Sequence, residues 1–157
     1  MATATIPATN TKAVRIIGLI SLIAGLVMII GGVSTWALVR SHLVDEHITV
    51  ATDAARFAGA SVDGPLQAYY QADIINHHAL TASGGKTYAQ LGKDDPVRAT
   101  VMNGSFLRAS LFTSVIAFGV AAFAIGTGLI FLLIGWALRK VAPAEVVVTE
   151  PQVVPAE

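Results

Sequence analysis

The chain has 157 residues, of which 54% are apolar and 13% charged, with ten basic and ten acidic side chains and a mean hydropathy of +0.67. A chain of zero net charge without a basic patch lacks the electrostatic footprint of a nucleic-acid-binding protein. The sequence contains no cysteine, which excludes disulfides, thiolate metal sites, iron–sulfur ligation, covalent haem attachment and lipoprotein lipidation.

The N-terminal part of the chain predicts a tail followed by a membrane span. Residues 1–11 are rich in threonine and alanine and predict a flexible tail. Residues 12–40 predict the first transmembrane helix, because the stretch from Ile16 to Val39 has no charged side chain and exceeds the roughly 20 apolar residues that a crossing needs. A buried core helix is one alternative. A cleavable signal peptide is another, although the apolar stretch is long and Thr35–Ala37 is a poor cleavage site.

Small residues recur in this helix with a spacing of seven. A seven-residue repeat is the period of a left-handed helix pair, and helices in lipid associate where small residues allow a close approach. We therefore predict a packing face made of Gly18, Ser21, Gly25 and Gly32. The alternative is that the seven-residue spacing arises by chance, since glycine is common in membrane helices.

Residues 41–107 predict a small, mostly helical domain with more acidic than basic side chains. The stretch from His47 to Val50 has the pattern of extended chain. Gly64-Pro65 predicts a helix start, because proline fits the first helical position. The helix is expected to continue to about Ala82 and to end before Gly84-Gly85.

One face of this helix combines apolar, aromatic and polar side chains, with Asp73 and His77 in the middle of an apolar stripe. We interpret Asp73 and His77 as a hydrogen-bonded pair that orients the helix against its own domain or a partner. We call the whole face the loop contact face, and it consists of Leu66, Tyr69, Tyr70, Asp73, Ile74, His77 and Leu80.

The histidines raise the question of a metal site, since all four lie in this domain. One alternative is that Asp73 and His77 are a metal-ligand pair or a proton-active pair. In a metal-dependent enzyme the ligands would be His77, His78 and either Asp73 or Glu46. The other two histidines are His42 and His47. No Ser/His/Asp order, phosphate loop or dinucleotide motif is present. The sequence predicts no catalytic, cofactor-binding or metal-binding residue and hence no enzyme.

A second long helix is predicted from the region of Asp94-Asp95-Pro96, an acidic cap followed by proline. Asn103–Ser105 is the expected place for a kink or break. Residues 108–140 predict the second transmembrane helix, since the stretch from Ala109 to Leu138 is uncharged. Residues 141–157 combine prolines, glutamates and valines and predict a flexible tail.

The second helix also carries small residues with a spacing of seven. Which helix this face meets, its partner in the chain or another subunit, is left open by the sequence. The predicted packing face consists of Ala117, Ala121, Ala124, Gly128 and Gly135.

The charges predict the topology and exclude some functions. Lys12 and Arg15 precede the first span and Arg40 follows it, which favours cytoplasmic termini and an extracytoplasmic loop in the cell (inner) membrane. The stretches from Ile16 to Val39 and from Ala109 to Leu138 hold no ionisable residue, which argues against a transporter, a pump or a haem-binding subunit.

Two stretches, QADIINHHALTASGGKTYAQL and DDPVRATVMNGSFLRASLFTSVIAFGV, resemble a family of actinobacterial two-span membrane proteins often labelled aromatic ring-opening dioxygenase LigA. The similarity covers about residues 12–140. A dioxygenase would need two histidines and a carboxylate that converge at an open iron site, and the sequence shows no convincing triad of this kind. The family includes an association factor of the respiratory supercomplex.

The resemblance implies a non-catalytic accessory subunit without a cofactor. Its partners would be membrane lipid and the subunits of the actinobacterial cytochrome bcc–aa3 oxidase supercomplex, with no nucleic acid and no small-molecule substrate. Two alternatives remain. One is a membrane-tethered metal-dependent enzyme that uses the loop histidines, and the other is a stand-alone homo-oligomeric envelope protein.

Overall fold

The computed structural model describes residues 8–142, and their regular secondary structure is helical. Helix α1 spans Ala8–Asp45, α2 spans Pro65–Ala82 and α3 spans Arg98–Val141, with a single 3-10 turn at Tyr88–Gln90. The described residues contain no β-strand, so the predicted all-helical class is confirmed. Most of both predicted tails, residues 1–7 and 143–157, lies outside the described residues.

Helices α1 and α3 are each long and apolar enough to cross a membrane. Only 17% of the residues in the most apolar window of each helix are buried, whereas a core helix of a soluble protein is mostly buried. α1 continues past Arg40 to Asp45, and α3 begins at Arg98. Both ends of the segment 41–107 are therefore continuations of the long helices.

The predicted bounds of α2 are confirmed. Pro65 occupies the start of the helix after an extended Gly64. At the other end, Gly84 and Gly85 adopt left-handed φ angles of 63° and 85°, and the Gly85 N–H donates to the Leu80 carbonyl at 2.7 Å. Glycine reaches this conformation without the Cβ penalty of other residues, which is why the helix ends here.

The start of α3 agrees with the acidic cap, because the Asp95 carboxylate accepts a hydrogen bond from the Val97 N–H at 3.0 Å. The break expected at Asn103–Ser105 is absent, since α3 is continuous through these residues. Gly104 instead faces α2, where an added methyl would lie 3.3 Å from the Cβ of Ala79. The glycine therefore allows the two helices to approach closely.

The chain divides into two compact units. The described part of the first unit is residues 8–28 and 127–142, in which the beginning of α1 packs against the end of α3. The second unit, Ile29–Gly126, contains the rest of both helices, α2 and the connecting segments. The buried core of the second unit consists of Leu43, Val50, Val62, Ala68, Ala72, Leu111 and Phe118.

The segment between α1 and α2 folds back on itself. Thr49 and Ser61 form an isolated antiparallel bridge, and the Val50 N–H donates to the Ala60 carbonyl at 2.8 Å. His47 departs from the expected extended chain because it adopts a left-handed turn with φ of 50°. The pairing buries Val50 and Val62 in the core of the second unit.

Candidate interaction surfaces

In the first unit, α1 and α3 approach each other at two pairs of glycines. A methyl group at Gly25 would lie 2.6 Å from the carbonyl oxygen of Gly128. A methyl group at Gly135 would lie 2.5 Å from the carbonyl oxygen of Gly18 and 2.9 Å from the backbone nitrogen of Leu22. These distances are below the ordinary van der Waals contact of a Cβ atom, so the backbones are too close for any side chain at these positions.

In the second unit, the contact between α1 and α3 centres on Gly32 and Ala121. A methyl group at Gly32 would lie 2.7 Å from Cγ1 of Ile125 and 2.8 Å from the carbonyl oxygen of Ala121. A methyl group at the neighbouring Gly31 would meet nothing within 4 Å. Glycines of α1 thus differ sharply in environment, and the structure brings those with a spacing of seven against α3 of the same chain.

The remaining predicted packing residues lie at the margins of these contacts, because Ser21, Ala117 and Ala124 are half-buried.

An aromatic contact that the sequence analysis missed also joins α1 and α3 in the second unit. Trp36 packs edge-on against Phe118, with ring centroids 4.7 Å apart, and Phe118 is 1% exposed. Edge-to-face geometry is a favoured arrangement of aromatic rings. The sequence does contain an indication of this contact, because Phe118 lies one turn before Ala121 and so on the same face of α3.

Helix α2 packs inward through alanine. Ala68 and Ala72 are completely buried, and Ala79 lies against Gly104 of α3. The side-chain amide oxygen of Gln71 accepts a hydrogen bond from the Ala51 N–H at 2.8 Å. Small side chains on this face let α2 lie close to its neighbours in the second unit.

The loop contact face lies mainly on the other side of α2. Leu66 is 59% exposed and Tyr69 is 45% exposed, and Asp73 and His77 are also exposed. Ile74 is the exception because it is buried, while Tyr70 and Leu80 are half-buried. Four of the seven residues of this face are therefore exposed among the described residues of the second unit.

Aromatic side chains extend this face. Tyr69 and Tyr70 are in edge-to-face contact at 5.5 Å between centroids, and Tyr69 also meets Phe112 at 5.9 Å. Tyr70 contacts Phe57 at 5.6 Å, and the Arg108 guanidinium lies 5.2 Å from the Phe112 centroid. The sequence analysis missed Phe57, which adopts a left-handed φ of 60°. Aromatic and arginine side chains are enriched where proteins bind partners.

The expected hydrogen bond between Asp73 and His77 is absent. The histidine that forms a carboxylate contact is His78, whose Nε2 lies 2.6 Å from Oδ2 of Asp53. Hydrogen bonding to His78 holds the pKa of the Asp53 carboxyl below its ordinary value. An ion pair joins Arg40 to Asp63 at 2.8 Å. Both contacts fix the segment between α1 and α2, and both are largely exposed.

The four histidines do not assemble a metal site within residues 8–142, where no three histidine or carboxylate side chains are grouped to hold an ion. His42 and Glu46 line a cleft of about 250 Å³ together with hydroxyl side chains of α3. His77 lies beside His78, with ring centroids 6.4 Å apart. The histidines of α2 therefore contribute a hydrogen bond, from His78 to Asp53, and exposed surface at His77.

Comparison with known proteins gives no relative, since no protein-family model, curated protein or solved structure matches the chain. The class of the protein therefore follows from its own residues. The regular structure of residues 8–142 is all helical, and two of the helices are long and apolar enough to cross a membrane.

Proposed function

We propose that the chain is a two-span integral membrane protein and a non-catalytic accessory subunit of a large membrane complex. The observation that carries the proposal is the environment of α1 and α3. They contact each other through glycine and alanine, while large apolar side chains such as Ile23, Leu26 and Phe123 remain exposed. Soluble proteins rarely expose apolar surface on this scale.

Lipid accounts for this exposure. A helix can enter the hydrocarbon core because its backbone groups are hydrogen-bonded within the segment. Two cations, Lys12 and Arg15, precede the first apolar stretch, and two others, Arg139 and Lys140, follow the second. All four therefore lie on the side of the termini. By the positive-inside rule this supports cytoplasmic termini and an extracytoplasmic segment containing α2.

The proposed complex is the actinobacterial cytochrome bcc–aa3 oxidase supercomplex, because residues 71–91 and 94–120 resemble the two-span family that includes the respiratory supercomplex association factor. The exposed part of the loop contact face supports a binding role, because Leu66 and Tyr69 are large, exposed and adjacent to other aromatic rings. We propose that this face and the lipid-exposed sides of α1 and α3 contact the larger subunits.

Cysteine labelling tests the membrane topology, and the chain has no native cysteine that would interfere. We expect Ala89→Cys to react with a membrane-impermeant maleimide in intact cells, and Ala4→Cys to react only after lysis. The reverse pattern contradicts the proposed orientation. Equal labelling of both positions in intact cells contradicts membrane spanning.

Affinity purification of the full chain in mild detergent tests the proposed partner. We expect cytochrome absorbance and oxidase subunits to co-purify with the wild type and to be lost with Leu66→Asp combined with Tyr69→Asp. Thr81→Asp, which adds a charge at an exposed position of the same helix, is the matched control and should retain the partners.

Three outcomes contradict the proposal. A chain that migrates alone after gentle extraction excludes an accessory subunit. Crosslinking that yields only self-products supports the homo-oligomeric alternative. Stoichiometric iron or zinc in the purified protein supports the metal-dependent enzyme.

A further inference from the structure

The described part of the first unit contains a cleft lined by three cations and two apolar side chains. Lys12, Arg15 and Arg139 line it together with Ile16 and Leu19, and its volume is about 320 Å³. Residues 8–28 and 127–142 contain no acidic residue. Within the described residues, therefore, no carboxylate of this unit offsets the mutual repulsion of these cations.

Close packing at Gly18 helps to position one of these cations. A methyl group at Gly18 would lie 3.1 Å from Cγ of Arg139, so the aliphatic stem of Arg139 lies directly over the glycine. The adjacent Lys140 follows a different course, with its ammonium 4.2 Å from the centre of the Trp136 ring. Lys140 does not line the cleft.

The cleft lies where the apolar stretches of both helices end. Arg15 directly precedes Ile16, and Arg139 directly follows Leu138. In a membrane-spanning helix these positions fall at the boundary between hydrocarbon and headgroups. Arginine binds phosphate oxygens through paired N–H donors, and lysine contributes a further positive charge.

We propose that this cleft binds the phosphate headgroup of an anionic phospholipid, with the start of an acyl chain against Ile16 and Leu19. The combination of cations with apolar side chains favours a lipid over a soluble phosphate, because a soluble phosphate would leave the apolar part of the lining unused. The inference rests on the membrane insertion proposed above.

Native mass spectrometry of the full chain in a neutral detergent tests the site. The probes are phosphatidylglycerol and phosphatidylcholine with identical acyl chains, and glycerol 3-phosphate as the soluble phosphate. We expect phosphatidylglycerol to bind preferentially, and Arg15→Gln and Arg139→Gln to weaken binding by about fivefold for each cation lost.

Two variants control for charge and for folding. Lys140→Gln removes the same charge one residue away from Arg139 but outside the cleft, and should leave the affinity nearly unchanged. Arg139→Lys and Arg139→Gln both keep methylene groups over Gly18, so retention of most of the binding with lysine and its loss with glutamine assign the effect to the charge.

Equal binding of the two lipids, an equal loss with Lys140→Gln, or equal binding of glycerol 3-phosphate would overturn the proposal. Glu145, Glu150 and Glu157 in the C-terminal segment are an alternative source of anions. Thermal unfolding with and without phosphatidylglycerol distinguishes this segment from a lipid. The segment occupies the cleft instead if replacing all three glutamates by glutamine destabilises the chain as much as Arg139→Gln and phosphatidylglycerol adds no stability. Each of these results leaves the cysteine-labelling test of membrane insertion unaffected.

Discussion

The neighbouring glycines of α1 provide a matched pair of substitutions. Gly32→Ala places a methyl group 2.7 Å from Ile125 Cγ1 and 2.8 Å from the Ala121 carbonyl oxygen, whereas Gly31→Ala places the same group in open space. Both positions lie on the same helix and in the same unit. The two variants therefore differ in the packing of the methyl group and share its effect on the helix backbone.

The magnitude follows from two opposing contributions. Forcing an extra methyl into a well-packed contact costs about 1–3 kcal/mol. Replacing glycine by alanine inside a helix contributes up to about 1 kcal/mol of stability. We expect Gly32→Ala to lower the free energy of unfolding by up to roughly 2 kcal/mol and Gly31→Ala to raise it by up to about 1 kcal/mol. The helix propensity cancels in the difference between the variants, which isolates a steric cost of about 1–3 kcal/mol.

Equilibrium unfolding in mixed micelles with increasing sodium dodecyl sulfate measures this difference. Trp36 lies one turn after Gly32 and packs edge-on against Phe118 of α3. In a Trp136→Phe background, which removes the other tryptophan of the chain, its fluorescence therefore reports the separation of α1 from α3 in the second unit. Circular dichroism in the same titration shows whether the helices themselves persist.

Equal stabilities of Gly32→Ala and Gly31→Ala would refute the reasoning, since they would mean that α1 and α3 are not in close contact at Gly32. A larger loss at Gly31 would point to a different packing face of α1. Gly25→Ala extends the test to the first unit, where the added methyl would lie 2.6 Å from the Gly128 carbonyl oxygen.

Further predictions concern the second unit. Because hydrogen bonding to His78 lowers the pKa of Asp53, the ionised carboxylate stabilises the fold near neutral pH, and this contribution disappears as the pH falls through the lowered pKa. An NMR titration should show the Asp53 pKa returning to its ordinary value in His78→Phe. Ala72→Leu should cost about 1–3 kcal/mol by overpacking the completely buried face of α2, whereas Ala82→Leu at the exposed end of the same helix should be neutral in thermal unfolding. Phe118→Ala should cost about 3 kcal/mol by opening a cavity beside Trp36, measured as a lower midpoint of unfolding; an unchanged midpoint would show that this contact contributes little.

Local signals account for the helix boundaries that the sequence predicted correctly. Pro65 starts α2 because its fixed φ suits the first helical turn, and Gly84 ends it because it adopts a left-handed conformation. The Asp95 carboxylate accepts a hydrogen bond from the Val97 N–H in the turn that directly precedes α3. Each of these effects depends on a few neighbouring residues, so it can be recognised without knowledge of the tertiary structure.

The same local argument failed at Gly104 and at Asp73. Glycine in a helix predicts a weak point, but at Gly104 its small size serves the contact with Ala79 of α2. Asp73 and His77 have the spacing of a hydrogen-bonded pair on a helix, yet the bonded histidine is His78, because Asp53 is brought to it from the preceding segment. Both outcomes depend on residues distant in the sequence.

The sequence by itself determined the helical class, the two apolar stretches and the spacing of their small residues, because these depend on composition and on the period of the helix. The tertiary structure decided that Gly18 and Gly25 face glycines of the same chain. It also decided that α2 packs inward through Ala68 and Ala72 and leaves most of its aromatic face exposed. Apolar character alone does not distinguish a surface for lipid or a partner from one for the core, whereas close approach of two backbones selects the smallest side chains.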